Sequence, residues 1–336
     1  MSVVRNRVAP ACLRAWGAGP ARLRPTRLVL CYHSVSDGNA EPHGFLSRSR
    51  CLEMSEFAQQ MEWLCQIADV VHLADLLDGP STGLRVAITV DDGYANNVRL
   101  LFPFLQRLGI PATWFVATSF VDDPSKLPWW DLLDWVIETQ QPQLDLHVVG
   151  IPIRVELNNR KDCQVLRSQV GPILAKADPL RCEEILATIL NQVQPPTPPA
   201  NAFARPEDLR TVARTLNVSI GSHTTHHANL KYCSSEEIVN EVENGRKQVS
   251  SMCGNDTPWF AYPYGHHDAV DVRVADALRP LALRGCCTLI PGVVGNHSDR
   301  MLIPRINVPP NISISRFKAL VTASRLYAAA SRIAKR

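Results

Sequence analysis

Val86-Ala87-Ile88-Thr89-Val90 is a β-branched, apolar run that reads as a buried strand, and it stops at Asp91-Asp92-Gly93. Further candidate strands at 27–32, 112–117, 217–221, 257–262, 284–290 and 303–308 alternate with helical patterns at 55–68, 96–108, 207–216, 234–252 and 268–280. Such alternation predicts an α/β barrel of parallel strands joined by crossover helices, with the site at the C-terminal strand ends. Asp91 and Asp92 fall at one of those ends. Successive side chains on a strand point in opposite directions and Gly93 lets the chain turn away, so the two carboxylates can reach one pocket from different angles. One can then bind a metal while the other handles a proton. Standing alone, an Asp-Asp-Gly is more often a turn with a helix cap.

Two downstream segments supply partners. Val218-Ser219-Ile220-Gly221-Ser222 is a short apolar strand running into His223-Thr224-Thr225-His226-His227. His223 and His227 are four apart, which lets two imidazoles converge on one ion, and imidazole with carboxylate suits zinc and other first-row divalent metals. A polar, partly exposed histidine cluster fits the same residues, with His226 a bystander pointing away from the pair. Trp259-Phe260-Ala261-Tyr262-Pro263-Tyr264-Gly265 is another apolar strand, broken by a proline and a glycine, and such a break exposes backbone N–H groups. The Tyr264 amide is a candidate donor to a developing oxyanion in acyl transfer, against the plainer use of the segment as an aromatic strand end and turn.

In this order, and all at strand ends, the three segments resemble the Thr-Phe-Asp-Asp-Gly, His-Ser/Thr-x-x-His and Pro-Tyr-Gly blocks of the NodB-type polysaccharide deacetylases, carbohydrate esterase family four. Leu230, three residues after the second histidine, extends the match. Cys31-Tyr32-His33-Ser34-Val35 is similar to the opening strand of one branch and Leu302-Ile303-Pro304-Arg305-Ile306 to its closing strand, so the likeness spans residues 27–310. The resemblance implies a distorted (β/α)7 barrel of the NodB homology type. It further implies a divalent metal, zinc first among the choices, held by Asp92, His223 and His227, with Asp91 as general base and the Tyr264 N–H as oxyanion donor. A metal lowers the pKa of water and polarises a carbonyl, and its charge favours an ionised Asp91.

The sequence departs from the family pattern at three points. Val90 stands for a phenylalanine. Ala261 replaces the arginine that usually precedes Pro-Tyr-Gly, which leaves Arg305 as the candidate to orient the base. The closing Leu302-Ile303-Pro304-Arg305 has no histidine, so the general acid falls to His33, at the end of the first strand on the catalytic face. Substrate binding and a structural hydrogen bond are the other uses open to His33. His266 and His267 read as the start of a surface helix with Asp268 at its N-terminus.

Residues 121–206 exceed what a minimal barrel needs and read as an insertion, opening with a Trp129-Trp130 helix and closing with Pro195-Pro196-Thr197-Pro198-Pro199, a stiff extended spacer. The tryptophans fit core packing on the barrel flank better than stacking on sugar rings. With 336 residues, 46% hydrophobic and 20% charged, the chain is a globular enzyme of one large domain, 27–310, between a basic segment 1–26 and a basic C-terminal helix 311–336. Its 10 cysteines show no zinc-finger or Cys-x-x-Cys spacing and read as free core thiols, which favours a reducing, cytoplasmic location. Arg5, Arg7, Arg14, Arg22, Arg24 and Arg27 give the first end +6, and Arg300, Arg305, Arg316, Lys318, Arg325, Arg332, Lys335 and Arg336 give the last +8, within a net charge of +3. Such ends can seat a protein peripherally on an anionic membrane, here the inner face. No nucleic-acid-binding motif accompanies the charge, so a nucleic-acid partner is not expected. The sequence-level expectation is a metal-dependent hydrolase that removes an N-acetyl or other acyl group from an amino sugar of a cell-surface glycan or its precursor. The alternative is a catalytically inert glycan-binding protein on the same barrel.

Overall fold

The structure, a computed structural model, describes residues 26–38, 51–80, 82–123, 126–138, 144–148, 151–155, 160–192 and 202–324. The expected basic segment before Thr26, the 195–199 proline run and the last residues of the expected C-terminal helix lie outside these.

Seven parallel strands carry the fold: β1 (Thr26–Tyr32), β2 (Leu84–Val90), β3 (Ala112–Val116), β4 (Val218–Ser222), β5 (Trp259–Ala261), β6 (Gly285–Cys287) and β7 (Ile306–Asn307). Their order around the sheet is β6-β5-β4-β3-β2-β1-β7, and the short Asp69–Val70 pairs with the start of β2. The sheet curls into a half-barrel, and residues 303–307 link its two edges. Ile303 accepts from the Thr288 N–H at 2.8 Å and donates to Cys286 O at 2.9 Å, while Ile306 and Asn307 pair with β1. Pro304, which has no N–H, interrupts this stretch, and regular pairing is accordingly confined to two residues of the expected 303–308.

Strand alternation divides the apolar residues between two faces. Leu28, Leu30, Val86, Ile88, Val90 and Trp114 meet the flanking helices α1 (Met54–Ile67), α2 (Phe102–Leu108) and α6 (Pro206–Thr215), while Val29, Ala87, Phe115, Ala261 and Cys287 fill the inner face. Thr89 and Asp91 share the parity of Ala87 and so face inward. α2 is shorter than the 96–108 pattern predicts: Asn97–Leu101 forms a π turn, next to Pro103, which cannot donate to the helical ladder. The 268–280 pattern likewise starts late, at α8 (Val272–Leu278), where the Asp271 carboxylate caps the Val274 N–H. His266, His267 and Asp268 therefore belong to the preceding turn and not to a helix start.

Between β3 and β4 the chain builds α3 (Trp129–Glu138), an antiparallel pair Leu144–Val148 with Ile151–Val155, α4 (Arg160–Leu174) and α5 (Pro179–Leu190). Leu132, Leu133, Val136, Leu166, Val170, Ile185 and Ile189 give these helices a core separate from that of the sheet. At the C-terminal side, α9 (Ile314–Thr322) packs Phe317 and Val321 into the main core, with the Phe317 ring 5.9 Å from Trp63. Arg27 and Arg305 are buried, and Arg300 pairs with Asp78. Among the described residues no helix is long and apolar enough to cross a membrane, and Cys31, Cys51, Cys65, Cys182, Cys233, Cys253, Cys286 and Cys287 are free thiols.

α7 (Ser235–Cys253) lies directly against the end of β4, and Gly245 makes that approach possible: a Cβ there would stand 2.7 Å from the Thr224 carbonyl carbon and 2.8 Å from Ser222 Oγ. Gly245→Ala is expected to lower stability by about 1–3 kcal/mol, the usual cost of overpacking. A urea midpoint equal to wild type would show that the helix has room to spare.

Candidate active site

The β2 run ends by pointing Asp91 into the half-barrel, where both carboxylate oxygens meet Arg305. Nη1 donates to Oδ1 and Nη2 to Oδ2, each at 2.7 Å, in a bidentate pair that is buried on both sides. Arg305 is itself fixed by donating to Thr288 O at 2.8 Å and Thr89 Oγ1 at 3.1 Å, with its guanidinium 5.6 Å from the Phe115 ring centre. The Cys31 thiol, which burial keeps protonated, adds a bond to Asp91 Oδ2 at 3.3 Å. Burial alone would raise the Asp91 pKa, but the adjacent guanidinium and neighbouring imidazoles outweigh it and hold the carboxyl below the ordinary range.

Asp92 turns the other way. Its φ of 77° is left-handed, and Gly93 follows at 104°, so the chain doubles back and presents the second carboxylate to the loop after β4. The exit of β3 holds the two loops together: His223 N–H donates to Val116 O and Ser119 N–H to Thr225 O, each at 2.9 Å or thereabouts as an ordinary bond. Asp92 Oδ1 then stands 3.6 Å from His223 Nε2 and 3.4 Å from His227 Nε2. These separations exceed the ~3.2 Å reach of an ordinary N–H···O bond. They match the edge of a ligand tetrahedron, about 3.4 Å for zinc bonds near 2.1 Å. His223 Nδ1 lies 2.8 Å from Ala261 O, which fixes its proton there and leaves the Nε2 lone pair facing Asp92. His227 Nδ1 is buried with no hydrogen-bond partner among the described residues, and burial lowers the His227 pKa, favouring the neutral ring a metal requires. An N2O donor set of this shape fits a divalent cation such as zinc, and Asp92, His223 and His227 could hold it.

The remaining sequence-derived residues line the same cleft, of ≈ 470 Å³, with Asp91, Asp92, His223 and His227. His33 is half-buried on one side, in a loop held by Asn97 Nδ2 donating to His33 O at 2.7 Å. Tyr264 faces it with φ 61°, which turns its backbone away from the strand direction, and its N–H enters no hydrogen bond among the described residues. His266 also reaches the cleft. His226 does not. It is tied to Glu241, with Nδ1 2.6 Å from Oε1 and its N–H donating to Oε2 at 3.0 Å, and that carboxylate raises its pKa.

Several site residues escape sequence reasoning. Trp129 and Trp130 form the wall of the cleft and not a barrel flank: the Trp130 ring lies 4.6 Å from His227, and the Trp129 indole N–H donates to the Tyr264 hydroxyl at 2.8 Å. The Trp130 indole donates to the Tyr94 hydroxyl at 2.9 Å, and that hydroxyl donates to Asp131 Oδ2 at 2.8 Å. Asn96 ties down the His33 loop by donating to Ser34 Oγ and Val35 O, each at 2.7 Å. The adjacent Trp129-Trp130 pair was the sole cue in the sequence to the wall; Asn96 and Asn97 carry none, because asparagines at a helix start read as caps.

The polysaccharide deacetylase family model matches residues 78–282, which covers the β2, β4 and β5 strand ends. The chain is 20% identical over 309 residues, 90% of its length and 78% of the relative's, to the Bacillus subtilis (strain 168) protein named "Putative polysaccharide deacetylase YxkH". Its fold is similar to that of IcaB from Ammonifex degensii, at TM-score 0.55 and 18% identity over 90% of this chain and 97% of the other. The Streptococcus pyogenes deacetylase PplD, solved with acetate, gives TM-score 0.54 and 13% identity over 86% and 94%. A curled parallel sheet with its acidic, histidine-bearing loops at the strand ends, matched by the family model across most of those strands, places this chain in the polysaccharide deacetylase family, as a hydrolase of the carbohydrate deacetylase class.

Proposed function

We propose that this deacetylase removes an N-acetyl group from an amino sugar of a cell-surface glycan or its precursor, with one divalent metal, zinc or a similar ion, held by Asp92, His223 and His227. The observation that carries the reading is the pairing of that ligand triad with an arginine-clamped aspartate in one cleft. When bound, the ion supplies Lewis acidity to the acyl carbonyl and to water.

The chain's own residues supply the rest. Asp91 takes the proton of the attacking water through Oδ1, whose partner in the fold is Arg305 Nη1, leaving a second lone pair for the proton. Arg305 fixes which lone pairs face the cleft. The Tyr264 N–H donates to the oxygen that gains charge as water adds to the carbonyl carbon. As the C–N bond breaks, the nitrogen needs a proton, and His33 on the opposite side of the cleft gives it. Trp130 packs against the His227 ring and, with Trp129, flanks the site on that side.

His227→Ala is expected to lose most of the metal affinity while keeping the fold, and Asp91→Asn to keep the metal but lose turnover by about 10²-fold or more. Elemental analysis of the two purified variants checks this; full occupancy in His227→Ala is incompatible with the triad.

For His33→Ala the expected result is lower kcat at unchanged metal content, with the alkaline limb of the pH profile gone. An unchanged bell-shaped profile would remove His33 from the acid role.

Arg305→Met strands a buried carboxylate, so a loss of about 3–5 kcal/mol is expected near neutral pH. The sign of the pH dependence should also change. In wild type the Asp91 pKa is below its unfolded value, so its contribution is present above about pH 4 and is lost on acidification. Without the guanidinium, burial raises that pKa, and the variant becomes less stable as pH rises from 4 to 7. Parallel wild-type and variant curves in chemical denaturation across that window would contradict the assignment.

A further inference from the structure

Behind the wall of Trp129, Trp130, His227 and Tyr264 lies a second cavity, of ≈ 560 Å³, which shares those four residues with the ≈ 470 Å³ catalytic cleft. Much of its lining comes from the helices between β3 and β4, through Leu132, Leu174, Leu186 and Leu190, together with Phe120.

Most polar groups along this lining are already engaged, the buried His227 Nδ1 being the exception among the described residues. Lys126 Nζ pairs with Glu183 at 3.4 Å, His226 with Glu241 at 2.6 Å, and Asn229 Nδ2 donates to Ala175 O at 2.8 Å. Both indole N–H groups are bonded to tyrosine hydroxyls, at 2.8 and 2.9 Å. Burial pushes the Cys182 thiol up to about 12, so it stays neutral and behaves as a small apolar group. A sugar ring placed here would bring several hydroxyls that each need a partner, whereas a hydrocarbon chain needs none. The volume falls in the range of small-molecule sites, ~300–1,000 Å³.

We propose that this cavity holds an aliphatic chain attached to the glycan substrate, whose sugar sits in the adjoining catalytic cleft. The inference rests on the deacetylase reading for its sugar end and on the cavity alone for its chain. A chain can be joined to the sugar as the acyl group on nitrogen or as an alkyl aglycone, and the two attachments are separable by experiment.

Calorimetric binding, which does not depend on turnover, tests the proposal with two ligand series. One comprises the methyl, butyl and octyl β-glycosides of N-acetylglucosamine below their micellar concentrations. The other comprises N-acetyl, N-butanoyl and N-octanoyl glucosamine. Affinity is expected to rise along one series by about 4-fold per buried methylene. That series identifies the attachment. Ala187→Trp, at an exposed rim position on α5, and Cys182→Phe should each flatten the rise while leaving binding of the methyl glycoside as it was. Far-ultraviolet circular dichroism selects the variant that is folded. Flat affinities in both series overturn the proposal, and so does a rise that survives both substitutions, because the chain is then bound elsewhere. Acetate release, followed in parallel, keeps the two readings apart. Release with flat affinities rejects the cavity and leaves the deacetylase; a substitution-sensitive rise without release retains the cavity and rejects the proposed reaction.

Discussion

The bidentate Asp91–Arg305 pair is the interaction on which the site depends. A carboxylate sealed inside a half-barrel would ordinarily take up a proton, and a neutral acid at that position has no basicity to offer. Arg305 prevents this from within the sheet, anchored on Thr288 and Thr89 and laid against Phe115, so both partners are held by backbone and ring contacts and not by each other alone. Removing either partner leaves an uncompensated buried charge.

Two carboxylates adjacent in sequence are given different work by the backbone between them. Asp91 keeps strand geometry and faces the guanidinium; Asp92 adopts a left-handed conformation and faces two imidazoles. Left-handed φ values recur at Thr224, His227 and Tyr264, all within the loops that meet at the cleft. Each is unfavourable for a side-chain-bearing residue and is held by its surroundings, among them the β3 exit and the close approach of Gly245. The cost of those conformations is the cost of bringing the side chains to one point.

The sequence disclosed what local chemistry dictates. Largely apolar, β-rich runs such as 86–90 and 112–116 announce buried strands because propensity and burial agree there, and the curled parallel α/β sheet follows from their alternation with helical patterns. Strand ends were less legible. Thr288 and Leu289 have the β-branched and apolar character of a strand but spend their N–H groups on Ile303 O and Gly265 O, a matter of tertiary arrangement. In the site, the His223 and His227 spacing was readable because four residues of one loop suffice to aim both rings. Trp129 meeting Tyr264 across 135 positions, or Asn97 reaching back to the His33 loop, leaves no periodicity to detect.

One segment does two things at once. Residues 303–307 join the edges of the sheet and also carry the guanidinium that meets Asp91 from 214 positions away. The segment that closes the sheet is thus also the one that brings Asp91 its charge partner. Without that segment Asp91 would have no guanidinium beside it, and burial would raise its pKa. Closure of the sheet and the ionised state of Asp91 are in this way one structural event.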